Sequence, residues 1–286
     1  MKKNIFLPIL LAMITVVVSN SCKKPEVDTE TQSATDNAVC EGEFTSIVPN
    51  ASGMAIKQGG INAKITNAGP YITVDSINYV KGKNKWPRRM RIDFDRDATG
   101  AATGGYTDPE DGKFRKGIIS LLVDTSWSLK TAVANMKIDS LFNYSVNGIN
   151  YKASSILISR KITSGTANAS VSMTTTVNGG KCWNSSWTLL WNSTRTFTYD
   201  ASGNVTVSGS ADGTNKNGLT YTTNINNVVK LQGCANISSG TVDLTPAGKE
   251  TRIIDYGVDA AGVHSNTCDD YASLTIKGNT FIFKLN

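Results

Sequence analysis

The carboxylates of the chain are the first candidates for chemistry. Asp93, Asp95 and Asp97 alternate, and Asp108, Glu110 and Asp111 follow across a glycine-rich loop. Oxygen ligands at such spacing can bind Ca²⁺. The EF-hand pattern fails, however. Ala98 stands where a glycine makes the sharp turn, and Gly104 where a bidentate Glu would close the shell. Arg96, Lys113, Arg115 and Lys116 lie close by as charge partners. A solvated, charge-paired loop is therefore expected, with no metal and no cofactor. His264 is the single histidine and sits among Gly, Ser and Asn. No base–nucleophile pair is spaced around it, so it reads as an exposed loop histidine rather than half of a Ser-His or Cys-His pair. Asp200, Asp243, Asp255, Asp269 and Asp270 are individually able to serve a glycosidase, but spacing brings no two of them across a cleft. The chain is expected not to be an enzyme, with a hydrolase of unrecognised site as one alternative.

Trp183, Trp187 and Trp191 share an even spacing and would face one way in a single strand. Rings so arranged either stack on sugars or, with Leu189, fill a core, and the core reading is favoured. Asp75-Ser76-Ile77 and Asp139-Ser140-Leu141 match a short Asp-Ser/Thr-aliphatic sequon that resembles Bacteroidota O-glycosylation signals. Ser76 and Ser140 are candidate modification sites on that ground.

Cysteine chemistry divides in two. Lys2 and Lys3 precede an apolar run of 14 residues, Ile5 to Val18, which ends at Ser19-Asn20-Ser21-Cys22-Lys23-Lys24. A spanning helix needs roughly 20 apolar residues, so the run is too short to anchor by itself. The segment resembles a lipoprotein signal, in which the Cys22 sulfur takes a diacylglyceryl group and cleavage leaves that cysteine at the N-terminus. Ser19 replaces the aliphatic residue of the strict lipobox; the Ser-Cys-Lys-Lys form resembles the Bacteroidota version. Each buried acyl methylene contributes about 0.8 kcal/mol, so palmitate-length chains can hold a protein on a membrane. The remaining four of the 5 cysteines are Cys40, Cys182, Cys234 and Cys268. Spacing alone does not choose among their pairings. An exported protein favours disulfides, and Cys234 with Cys268 is the expected pair, both lying in turn-like segments near the C-terminus.

The elements that must position these residues read as strands. Lys23 to Cys40 is polar and acidic with almost no apolar content, so residues 22–45 are expected to be a flexible tether behind a signal at 1–21. Glu41 to Gly69 is ambiguous between short strands and a helix broken at Pro49, Gly53 and Gly59. From Pro70 the apolar period becomes two. Met136 to Val146 alternates, with Met136, Ile138, Phe142, Tyr144 and Val146 on one face. Asn147-Gly148 then supplies the positive-φ pair of a type I′ hairpin turn. Asn178-Gly179-Gly180, Asn217-Gly218 and Gly278-Asn279 mark further turns. Residues 46–286 are predicted to be an all-β antiparallel meander, closing as a sandwich, an open barrel or a curved sheet. The formal charge of +6 falls to +4 once Lys2 and Lys3 are removed, and its densest cluster is Lys81 to Arg91. That is too mild and too dispersed for a nucleic-acid reader.

IDF at Ile92–Phe94, DGKFRKG at Asp111–Gly117, WNSTRTF at Trp191–Phe197, DGTNKNGLTYT at Asp212–Thr222, IDYG at Ile254–Gly257 and CDD at Cys268–Asp270 together resemble a family of uncharacterised Bacteroidota lipoproteins. The resemblance covers about Pro70 to Asn286. It implies a lipid-anchored, outer-membrane β protein, periplasmic or cell-surface facing, and no particular activity. Family members often carry a cysteine in the loop after IDF; Asp95 to Glu110 has none, which leaves Cys40 and Cys182 without an assigned partner. The expected role is non-enzymatic binding of, or structural support to, a protein or a glycan. The alternative is an accessory subunit of an outer-membrane complex.

Overall fold

The computed structural model describes residues 28, 30–59, 69–76, 86–109, 112–125, 127, 133–162, 170–234, 236–265 and 267–284. Cys22, the signal-like segment and the side chain of Ser76 lie outside the described residues, as do Glu110 and Asp111. Among the described residues, one helix, α1 (Gln32–Gly59), precedes fifteen strands. They are β1 (Pro70–Ser76), β2 (Arg88–Asp97), β3 (Tyr106–Thr107), β4 (Phe114–Val123), β5 (Val133–Val146), β6 (Ile149–Lys152), β7 (Ser155–Ile162), β8 (Val171–Trp183), β9 (Thr188–Tyr199), β10 (Val205–Thr214), β11 (Thr220–Lys230), β12 (Ser239–Pro246), β13 (Arg252–Asp255), β14 (Tyr271–Ile276) and β15 (Asn279–Lys284). The strands form a single antiparallel sheet, and spatial order follows chain order apart from two short side branches. β6 and β7 share one lane, β6 beside the end of β5 and β7 beside its start, and both pair with β8. The all-β meander is thus present. No described helix is long and apolar enough to cross a membrane.

Burial is one-sided. Met90, Ile92 and Phe94 of β2, Ile119, Leu121 and Val123 of β4, Ile156 and Ile158 of β7, and Leu189 and Trp191 of β9 lie on one inner face and form one core. The outer face carries the alternate residues, which is the period-two pattern of a half-buried antiparallel sheet. The second layer is α1, whose Cys40, Phe44 and Ile47 are fully buried in the same core.

The tether expected over 22–45 is corrected from Gln32 onward, where the chain is helical. Its buried stripe is Ser33, Asp36, Asn37, Cys40, Glu43, Phe44 and Ile47. That is the i, i+3, i+4, i+7 spacing of a helix face, written mostly in polar residues. A search for an apolar stripe passes over it, because the sheet supplies the polar partners described below. The helix continues through Pro49 to Gly59 rather than breaking there.

Two further expectations change. Phe142 is 61% exposed and does not face the core with Met136, Ile138, Tyr144 and Val146. β5 carries two register shifts against β4, one on each side of the Ile118–Leu141 region. Each puts an extra residue into β5, so parity is lost and then regained. Asn143, beside Phe142, has φ 49°, and Gly117 opposite it has φ 84°. A Cβ on Gly117 would stand 2.3 Å from the Asn143 carbonyl oxygen, so the glycine permits the bulge. Asn178-Gly179-Gly180 is likewise a bulge inside β8, not a hairpin turn. A Cβ on Gly180 would lie 2.4 Å from the Trp191 carbonyl oxygen and 3.2 Å from the Phe44 ring, so this glycine lets the helix approach the sheet. The Asn147-Gly148 turn is as predicted, with φ 49° and 82° between the paired Val146 and Ile149.

Candidate functional site

The inner face holds a dense set of charged and polar groups, and α1 engages them in sequence. Ser33 accepts from Asn215 Nδ2 at 3.0 Å, and Asp36 from the Lys216 backbone N–H at 2.9 Å. Asn37 Oδ1 accepts from the Trp191 indole N–H at 2.9 Å. Glu41 takes a two-point bond from Arg195, at 2.6 and 2.9 Å. Glu43 accepts from the Tyr144 hydroxyl at 2.6 Å, and its carboxylate lies 3.7 Å from Arg115 Nε and 3.5 Å from Lys113 Nζ. Arg115 also reaches Asp108, at 3.2 Å. The Phe44 ring stacks on Trp191 with centroids 5.4 Å apart, and Tyr151 meets Phe44 edge-on at 5.7 Å.

Burial sets the protonation of this layer. The Tyr144 phenol is held well above its ordinary range, first by desolvation and then by the adjacent Glu43 charge. Tyr151 and Tyr221 are pushed up chiefly by burial. Each phenol therefore stays neutral, Tyr144 as the donor to Glu43, and the carboxylates of Glu41 and Glu43 meet buried guanidinium groups. A charge taken out of water is tolerated only when paired and hydrogen-bonded, and here the pairing is between helix and sheet. These groups fix the second layer.

The structure disperses the residues singled out from sequence. Trp191 is 1% exposed and part of the core, as the core reading expects. Trp187 lies in a turn closed by Asn184 Oδ1 and is half-buried against the core. Trp183 ends β8, and Lys181 Nζ lies 5.3 Å from its ring centroid. The three rings do not share a strand, and they form no common surface for stacking on a glycan. Trp183 pairs with Thr188 across the turn, so it falls on the parity opposite to Trp191.

The aspartates are spent locally. Asp97 accepts from the Thr99 hydroxyl and backbone and from the Ala101 N–H, and the Thr99 bond leads in holding its carboxyl below the usual value. Asp93 Oδ1 caps the Asp95 N–H, and Asp95 Oδ2 accepts from Gly117 N. Among the described residues, no three His, Cys, Asp or Glu side chains stand close enough to share a metal ion. His264 Nδ1 is 2.9 Å from the Gly257 carbonyl oxygen and Nε2 is 3.3 Å from Asp255, so both ring nitrogens already face acceptors. Ser140 is exposed on β5, beside an Asp139 that pairs with Arg89 at 3.4 Å. Cys234 and Cys268 form the expected disulfide, their Cα atoms 5.3 Å apart.

The outer face and the end of the sheet both offer surface to a partner. The outer face of β8 to β12 is a field of hydroxyls and amides bonded across strands: Thr174 with Thr196 at 3.2 Å, Asn192 with Asp212 at 2.9 Å, Asn226 with Asp243 at 3.0 Å. It has a shallow depression of about 490 Å³ lined by Leu190, Asn192, Asp212, Thr222 and Thr245. The second surface is the C-terminal hairpin. β15 ends the sheet and, among the described residues, has a strand neighbour on one side only. All six of its residues are exposed, with Phe281 at 58% and Phe283 at 38%. Phe281 pairs with Leu274 and Phe283 with the buried Ala272, so both continue the inner face at the end of the sheet. Ile282, on the other face, is 38% exposed. This edge was not singled out from sequence. Its signal is the Phe-Ile-Phe run after the last turn, which reads equally well as an ordinary core strand.

Comparison with protein-family models, with curated proteins and with solved structures finds no match to this chain.

Proposed function

We propose that the chain is an exported, lipid-anchored binding module of the outer membrane that docks a partner polypeptide along β15, without catalysing a reaction. The anchor rests on the signal-like segment ending at Cys22 and on the resemblance to Bacteroidota lipoproteins. The docking rests on one observation: β15 is an edge strand with apolar side chains exposed on both faces. Natural sheet edges are usually blunted by charge, proline or cover, because bare backbone groups recruit another strand. An extended segment of a partner would pair with that edge and cover Phe281 and Phe283. An accessory role in an outer-membrane complex is the specific form this takes if the partner is a membrane barrel.

The test begins with mild detergent extraction of the full chain from native membranes. A stoichiometric partner should be retained by the parent protein and lost from a Phe281→Lys, Phe283→Lys variant. Backbone amides of 279–284 should gain exchange protection in the complex. Retention of the partner by the variant, or unchanged exchange, overturns the β15 assignment. Cys22→Ala should release the protein from membranes; if it stays bound, the anchor is wrong. The second reading is a glycan at the outer-face depression, favoured by its convergent amide, carboxylate and hydroxyl groups. Glycan binding that is abolished by Asp212→Ala and untouched by the β15 variant would place the function there.

A further inference from the structure

We infer that Cys40 and Cys182 form a second disulfide, which covalently joins α1 to β8. Their Sγ atoms lie 2.7 Å apart. Unbonded heavy atoms rest at roughly 3.5–4.0 Å. The pair therefore sits inside non-bonded contact and within a small side-chain adjustment of the ~2.05 Å bond. Both side chains are fully buried. The position is set from both sides: Cys40 is on the helix face that carries Asn37 and Phe44, and Cys182 pairs with Leu189 on the inner face of the sheet. Among the described residues, no three His, Cys, Asp or Glu side chains gather as a metal site. The same chain already holds one oxidised pair, Cys234 with Cys268, as expected for an oxidising compartment. The inference rests on that compartment but not on any particular partner.

The chemistry is thiol–disulfide exchange. Two thiols lose two protons and two electrons as the S–S bond forms. An oxidised dithiol of a disulfide-donating oxidoreductase takes up both, and its own S–S bond breaks. Exchange requires a thiolate. Burial pushes the Cys182 thiol far up, and the neighbouring Cys40 adds to that. Oxidation therefore belongs to the stage before the helix seats on the sheet, and the buried bond is then shielded from small reductants.

The full chain is produced with its own signal in an oxidising compartment. Thiols are trapped by acid, alkylated after denaturation without reductant, and the peptides are mapped by mass spectrometry. The expected result is a linked Cys40–Cys182 peptide pair beside the Cys234–Cys268 pair, with neither Cys40 nor Cys182 alkylated. In a Cys40→Ser variant, Cys182 should become fully alkylated while Cys234–Cys268 is retained. Alkylation of both Cys40 and Cys182 in a parent protein whose Cys234–Cys268 pair is intact overturns the inference. So does a crossed pairing of either with Cys234 or Cys268. Alkylation of all four overturns the oxidising-compartment reading and this bond with it.

Discussion

At the scale of single residues, the clearest asymmetry is between the two glutamates that tie α1 to the sheet. Glu43 is buried and meets Arg115, which is also wholly buried. Glu41 has the better geometry, a two-point bond to Arg195, but keeps 23% side-chain exposure. Both guanidinium partners are closed to water, Arg115 at 0% and Arg195 at 2% side-chain exposure. Removing one member of a buried pair leaves a charge that water cannot reach, and this costs about 3–5 kcal/mol. Glu43→Ala also deprives the Tyr144 hydroxyl of its acceptor. Asp108 remains on Arg115, which keeps the loss toward the lower end. Glu41→Ala leaves Arg195, at 2% side-chain exposure, without its two-point carboxylate, so its cost is also about 3–5 kcal/mol. Denaturant unfolding should show Glu41→Ala losing at least as much stability as Glu43→Ala, whose Arg115 keeps Asp108. A clearly smaller loss for Glu41→Ala would mean that water reaches Arg195 once the partly exposed Glu41 is gone.

At the scale of elements, the hairpins were legible because turn chemistry is local. Asn147-Gly148 supplies positive φ at two successive residues, and nothing distant is needed to read it. Bulges are not local in this sense. The alternation through Phe142 points to a core side chain, yet the two extra residues in β5 show only against the register of β4. The helix was hidden for a different reason. Its inward residues are Ser33, Asp36, Asn37 and Glu43, and their burial is favourable only because Asn215, Lys216, Trp191, Tyr144 and Arg115 lie far along the chain to receive them. The disulfide of Cys234 with Cys268 was legible from its place in neighbouring turns, whereas Cys182 pairs with a helix that sequence reads as a tether. The bulge makes a contrast that can be measured. Phe142→Ser should change stability by no more than about 0.5 kcal/mol, as exposed sites do, against roughly 3–5 kcal/mol for truncating a core Phe. Gly117→Ala should cost at least ~2 kcal/mol, from left-handed backbone strain and the carbonyl it would strike. A large loss for Phe142→Ser with a small one for Gly117→Ala would restore the simple alternation.

At the scale of the molecule, the fold is a single antiparallel sheet and a helix that precedes it in sequence. The sheet's inner face cannot stand open to water as an ordinary surface. It carries the Trp191, Tyr144, Tyr151 and Phe94 rings in one connected aromatic cluster with Phe44. It also carries Arg115 and Arg195, whose carboxylate partners on α1 are Glu43 and Glu41. Removing α1 would bare the apolar cluster and strip those two guanidinium groups of helix carboxylates at once. A chain beginning at Gly69 should therefore lose cooperative unfolding, bind a hydrophobic dye and associate, the behaviour of a sheet with an uncovered core face. A synthetic peptide spanning 31–59, added in trans during refolding, should restore a cooperative transition, because its contacts are made by side chains rather than by chain connectivity. Rescue should weaken when the peptide carries Glu43→Ala and Phe44→Ala together, since these remove the buried pair and the ring stacked on Trp191. The same peptide with a change at Thr35, which is exposed and whose hydroxyl donates to the Thr31 carbonyl, should rescue as well as the parent sequence. A soluble, dye-silent, cooperatively unfolding monomer from Gly69 onward would show that the sheet closes its own core and that α1 is an accessory to the fold.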